Sequence, residues 1–142
     1  MRPQSAYSNR PPEIAPGEKI IAAASYLTTG IIGFLWVIIS HVTGSKIKSF
    51  LRYHIYQSIF LAVLYYVFNL IMNILVGIVV KVPFIGSLVY SVYFYLFNFK
   101  MIMGYSIIDF VIFIAILYLV LTSLSGKISR LPWVSDVVKS ML

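Results

Sequence analysis

KSFLRYHIYQSIFLAVLYYVFNLIMNILVGIVV, residues 48–80, is the stretch whose reading decides the fold. Its second part, Ile59 to Val80, carries no charge. A helix needs ~20 apolar residues to cross a ~30 Å hydrocarbon core, so this run predicts a membrane-spanning helix. The first part is different. It holds Lys48, Arg52, His54, Gln57 and two tyrosines, Tyr53 and Tyr56. The whole stretch is too long for one crossing. The polar first turns are therefore expected in the membrane interface, with Tyr53 and Tyr56 anchoring there as aromatic belts do and Arg52 reaching headgroups.

Three further apolar segments flank this one, at roughly 20–41, 84–99 and 104–125, beside the second at roughly 50–80. Together they predict an all-α integral membrane protein with four transmembrane helices. Pro83 and Gly86 mark the turn between the second and third. Alternation of apolar and polar residues is absent, which argues against β-barrel strands. The predicted organisation is a Pro-rich tail over 1–19, a four-helix transmembrane domain over 20–126 and an amphipathic C-terminal helix over 127–142. The tail contains no apolar core of a secretory signal.

Composition agrees. Of 142 residues, 61% are hydrophobic and 11% charged, and the mean hydropathy is +0.95. Soluble domains run near ~45–50% apolar and ~25% charged. The net charge of +7 comes from 11 Lys and Arg against 4 Asp and Glu. These basic residues flank apolar runs, which suits headgroups and topology rather than nucleic acid. Cysteine is absent, which excludes disulfides and thiol chemistry.

On four spans, Arg2, Arg10, Lys19, Lys81, Lys127, Arg130 and Lys139 fall on one side and Lys46, Lys48, Arg52 and Lys100 on the other. The excess predicts cytoplasmic (or stromal) termini. Ser25, Thr29 and Gly33 recur at four-residue spacing, a small-residue face for close helix approach. After Pro132, the residues Trp133, Val134, Val137, Val138, Met141 and Leu142 share one face, opposite Ser135, Asp136, Lys139 and Ser140. That pattern predicts a helix lying on the membrane surface, with Trp133 as an interface anchor, or else docking on a partner.

At about 100° per residue, His54, Gln57, Ser58, Tyr65, Asn69 and Asn73 lie within half the circumference of the second helix, and Arg52 lies away from them. Amides in hydrocarbon must face protein or water. The stripe is either interhelical hydrogen bonding or one wall of a polar groove. Asp109 is the acidic residue within a span, and four-span topology predicts an intramembrane ion pair with Arg52. Catalysis is not expected. No H-E-x-x-H, G-x-S-x-G or phosphate-binding glycine loop occurs, and a single deep carboxylate cannot form an aspartyl pair. No cofactor is expected.

Phe50-Leu51-Arg52-Tyr53-His54-x-x-Gln57-Ser58 resembles the F-[IVL]-R-[FY]-[NH]-x-x-Q-[AS] segment of the Tic-twenty family, components of chloroplast inner-envelope protein import with bacterial relatives. Gly126 followed by Leu131-Pro132-Trp133-Val134-Ser135-Asp136 resembles that family's closing G…[IL]-P-x-[IV]-S-[ED]. The likeness covers roughly residues 20–142 and implies four membrane helices and a part in a protein-conducting complex. Plastid members carry a further polar-aromatic segment ahead of the first apolar run. Here the Pro-rich tail stands in its place, as in bacterial relatives. The implied location is the bacterial plasma membrane, or the inner envelope of a plastid. The implied partners are the bilayer, other membrane subunits or a translocating polypeptide, and a second copy of the chain. A small channel or transporter using Asp109, Asn69 and Asn73 is the alternative reading, and a purely structural membrane protein a third.

Overall fold

The computed structural model describes residues 14–100, 104–131 and 134–140. The tail up to residue 13 and the Trp133 anchor lie outside the described residues. Among those described, all regular structure is helical: α1 (Pro16–Leu27), α2 (Ile31–Val42), α3 (Ser49–Val79), α4 (Ile85–Tyr93) continued by a π turn (Phe94–Asn98), α5 (Ile107–Leu124) and α6 (Val134–Ser140). Two of these, α3 and α5, are long and apolar enough to cross a membrane.

The first apolar segment is not one helix. It breaks at Thr28-Thr29-Gly30 into α1 and α2, each of 12 residues, and about 18 Å is too short to cross a ~30 Å core. Gly30 takes φ 87° and Thr29 φ 50°, left-handed values that stop a helix and suit glycine. The Gly30 N–H bonds back to the Ser25 carbonyl at 2.7 Å. Thr28 Oγ1 donates to the Ala24 carbonyl at 2.8 Å and accepts from the Ile32 N–H at 3.2 Å, joining both arms. A Cβ at Gly30 would lie 3.0 Å from the Ile59 Cα, so the tip of the hairpin sits on the α3 backbone. The stripe of small residues is likewise divided. Ser25 and Gly33 face each other across the hairpin, where a Cβ on Gly33 would lie 2.9 Å from Ser25 Oγ.

Because the hairpin returns, α3 starts beside the start of α1. Lys48 Nζ lies 2.8 Å from Glu18 Oε1. The C-terminal end of α5 reaches the same place, with Gly126 against Lys19. α5 packs on α1 through Leu119 and Val120 against Ala23 and Tyr26. The short α4 runs back along the distal half of α3, with Phe97 beside Phe68. Gly86 is required at that turn, because a Cβ there would fall on the Val80 carbonyl. The turn Phe94–Asn98 is a π-helix.

The C-terminal helix also departs from expectation. α6 does not lie free on a surface. Val134 and Val138 are buried against Tyr53, with Phe60 and Leu61 beside them. Its inner face includes Ser135, whose Oγ accepts from the Leu131 N–H at 2.7 Å, while Val137 is exposed. The buried stripe takes in Ser135 because its hydroxyl bonds the chain that enters the helix, and Val137 falls on the outer side.

Candidate functional site

Among the described residues, the polar first turns of α3 are the best-buried stretch. Phe50, Leu51, Tyr53, His54, Ile55, Gln57 and Ser58 are all buried. They face two other parts of the chain: Tyr26 near the end of α1, and the segment from Lys127 to Leu131 after α5. The two motifs, 72 to 76 residues apart, thereby meet in one hydrogen-bonded cap.

Tyr53 donates its hydroxyl to the Ser129 carbonyl at 2.8 Å. Tyr53 is thus a structural strut and not an interface anchor, whereas Tyr56 on the opposite face is exposed. His54 is enclosed by Tyr26, Phe50 and Tyr53, ring centroids 5.7, 4.6 and 5.5 Å away, all edge to face. Its Nε2 lies 3.2 Å from the Lys127 carbonyl and its Nδ1 2.8 Å from the Tyr26 hydroxyl. The Gln57 amide adjoins that same hydroxyl at 2.7 Å and the Ser129 hydroxyl at 2.8 Å. Ser58 closes on its own helix, donating to the Ile55 carbonyl.

The order of protons in this chain of bonds follows from counting. The Tyr26 phenol has one proton and two neighbours. Given to the Gln57 oxygen, it would oblige His54 Nδ1 to donate to the phenol while Nε2 donates to the Lys127 carbonyl. The ring would then be an imidazolium at 0% exposure with no carboxylate bonded to it, which is costly. A neutral ring needs the opposite order. Tyr26 donates to Nδ1, and Nε2–H donates to Lys127. The Gln57 amide then turns its NH₂, which otherwise has no partner in the protein, toward Tyr26 and Ser129. In that order the ring is neutral with both nitrogens bonded, and the Ser129 hydroxyl accepts from Gln57 instead of donating to it. Both ring nitrogens of His54 are then occupied, so neither is left to ligate a metal or abstract a proton from a substrate.

The rest of the expected stripe belongs elsewhere. Asn69 Nδ2 donates to the Tyr65 carbonyl at 2.9 Å and Asn73 Nδ2 to the Asn69 carbonyl at 2.8 Å. Asn73 Oδ1 also accepts from the Tyr93 hydroxyl of α4 at 2.9 Å. These amides bond their own helix and α4, and none of these bonds joins the buried cap.

The expected ion pair is not formed. Asp109 belongs to a capping box at the start of α5, accepting from the Ser106 N–H at 3.4 Å while its own N–H donates to Ser106 Oγ at 3.2 Å. Arg52 is in the first turn of α3, beside the other end of α5. The part of α5 from Asp109 to Leu124 separates them by about 22 Å. The premise of the pair was that the first segment crosses; its return as a hairpin moves Arg52 to the opposite end.

Tyr26, Lys127 and Ser129 were not singled out by sequence reasoning. Tyr26 looks like any aromatic in an apolar run; Lys127 contributes its backbone carbonyl, and Ser129 its carbonyl and a hydroxyl from a non-helical segment, which no helical periodicity reports. Family models, curated proteins and solved structures give no match to this chain, so the Tic-twenty likeness rests on its two motifs.

Proposed function

We propose that the chain is a membrane-embedded subunit that acts by holding and presenting surfaces, without chemistry of its own, and that it serves a protein-translocation assembly. The observation that carries this reading is the meeting of the two motifs in one buried cap. The residues most distinctive in the sequence are spent on internal bonds. What they hold in place is a long arm, the distal part of α3 with α4, whose side chains are largely exposed.

Membrane embedding is supported by the extent of the exposed apolar surface. Val42, Tyr66, Leu70, Ile78, Leu88 and Val111 are each more than half exposed, on four different helices, whereas soluble monomers keep apolar patches to a few hundred Å². At 31 residues, α3 extends about 46 Å and must tilt or emerge from a ~30 Å core. The hairpin also strengthens the charge asymmetry. Lys19, Lys46, Lys48, Arg52, Lys127 and Arg130 gather at one end of α3 and Lys81 follows its other end. That asymmetry favours a cytoplasmic cap.

The test is site-specific photocrosslinking from Tyr66, on the exposed arm, in intact membranes. A translocation role predicts adducts with a polypeptide in transit or a neighbouring membrane subunit. Adducts with lipid alone would overturn it.

A further inference from the structure

Between Lys19 and Lys46 the chain carries no Lys, Arg, Asp or Glu. Yet it turns back at Thr28-Thr29-Gly30, and α2 returns to the end from which α1 sets out. We infer that α1 and α2 form a re-entrant hairpin. It enters the bilayer from the cap side, turns near the mid-plane and leaves by the same side, with the outer face of α2 against acyl chains. The inference rests on the membrane reading above and adds to it an embedded element that does not span.

Three observations carry it. The first is the chemistry of the turn. The backbone N–H groups of Thr28, Thr29, Gly30, Ile31 and Ile32 all have acceptors within the hairpin, at 2.7–3.2 Å. Both threonine hydroxyls donate to carbonyls close by, Thr28 to Ala24 and Thr29 to Thr28, each at 2.8 Å. A turn in water has no need of such closure. At membrane depth, non-helical backbone is tolerated only where its polar groups are met inside the protein, and this turn rests through Gly30 on the α3 backbone at Ile59. The second is length and charge. Each arm has 12 residues, about 18 Å, which reaches the middle of a ~30 Å core. The charges stand at the open end, Glu18 and Lys19 at the foot of α1, Lys46 and Lys48 after α2.

The third is the outer surface. Ile31, Leu35, Ile38 and Val42 share one face of α2, each more than two-fifths exposed. Gly33 and Ser40, on the opposite face, are buried. α2 packs on α1 and α3, so the apolar face looks away from both. The exposure also passes round the tip to Leu27 on the other arm, 67% exposed. A single partner helix would cover a strip of α2. A surrounding phase of acyl chains covers the strip and the tip together.

The chain has no cysteine, so single cysteines report without background. Gly17 and Ser45 stand at the two feet of the hairpin. A Cβ at Gly17 meets nothing within 4 Å, and Ser45 is exposed. In sealed vesicles of known orientation, Gly17→Cys and Ser45→Cys should react with a membrane-impermeant maleimide from the same side. Reaction from opposite sides would show that the segment crosses, and would overturn the inference.

Nitroxides at Ile31→Cys, Leu35→Cys and Val42→Cys then read depth, from collisions with oxygen and with an aqueous nickel chelate. Depth should increase steadily from Val42 to Ile31, by about 16 Å in all at 1.5 Å per residue. Nickel collisions as frequent at Ile31 as at Val42 would place the hairpin in water. Equal depth at the three sites would lay α2 flat on the surface. Few collisions with either reagent would show a protein partner on this face. Each of these results would overturn the inference. Trp36 of α2, in a chain with Trp133→Phe, gives a reading without a label: quenching by brominated acyl chains is expected, and quenching by aqueous iodide alone would count against the hairpin. A nitroxide at Leu117→Cys, on the exposed side of α5, separates the two levels of the argument. Should it also be open to nickel, the membrane reading itself fails. Should it meet lipid while Ile31 does not, the hairpin inference alone fails.

Discussion

The two halves of α3 invert the ordinary relation between polarity and burial. Its first turns carry Tyr53, His54, Gln57 and Ser58, all buried. Its distal half is Val, Leu, Ile and Phe with few polar interruptions, and there only Val76 is buried among the described residues. One helix, continuous in backbone, thus serves as a core element at one end and as a surface at the other. Polar groups go inside where the chain can answer each with a partner, and the apolar groups of the distal half stay exposed. The boundary falls at Ile59, where the Gly30 tip of the hairpin touches the helix.

The largest effect should come from breaking that boundary. Gly30→Val puts a β-branched side chain at φ 87° with its Cβ 3.0 Å from the Ile59 Cα. Left-handed strain alone costs ~1–3 kcal/mol, and the backbone clash adds to it. We expect loss of the hairpin and of the cap, read as loss of a cooperative unfolding transition in detergent followed by fluorescence of Trp36 in α2. A variant with wild-type unfolding would show that the hairpin is not what closes the first half of α3.

Tyr26→Phe is next. It keeps the ring and removes the hydroxyl between His54 and Gln57. Each buried group left without a partner costs ~1–3 kcal/mol, and two are affected. The distal arm should be untouched, so hydrogen exchange should rise across residues 53–58 and stay unchanged across 66–79. A uniform rise along α3 would mean that the two halves are not separable, and the comparison would fail.

These two variants also mark how far the sequence could be read. The limits of α3 and α5 were close to legible, since apolar runs of that length have one economical conformation. The hairpin was not, because a hydropathy count is blind to three residues, and Thr28-Thr29-Gly30 is a stop signal only to a reading that weighs backbone conformation. From that single miss came two others: the end of the helices assigned to Arg52 and its pairing with Asp109. The need for partners at His54 and Gln57 was legible from cost alone. Their identity was not. Periodicity orders residues around one helix; it does not say where along that helix its neighbours stop, so the stripe from His54 to Asn73 read as continuous when only its first part is covered.

A smaller effect is expected at Asp109. Asp109→Ala removes half of a capping box, worth ~0.5–2 kcal/mol. Since Arg52 lies at the other end of α5, the loss should add to that of Arg52→Gln without coupling, as independent sites do within ~0.3–0.5 kcal/mol. A coupling above that in a double-mutant cycle of unfolding free energies would restore the ion pair that the geometry separates.

The smallest effect should come from the asparagines of the distal half. Asn69 and Asn73 donate to carbonyls of their own helix, and those carbonyls already serve the helix ladder. On the proposed membrane setting, removing such a bond costs on the order of 0.6 kcal/mol. Leucine at the same place returns part of that by favouring the hydrocarbon phase. Asn69→Leu should therefore be nearly silent. Asn73→Leu differs in one respect: it also frees the Tyr93 hydroxyl, one of the polar ties between α3 and α4. Faster exchange confined to residues 85–98 is expected for Asn73→Leu and not for Asn69→Leu. Neither should disturb the cap, because none of the bonds made by these amides reaches it. If Asn69→Leu instead lowered stability as much as Tyr26→Phe, the distal half would contain a buried polar site of its own, and the division of α3 at Ile59 would have to be given up.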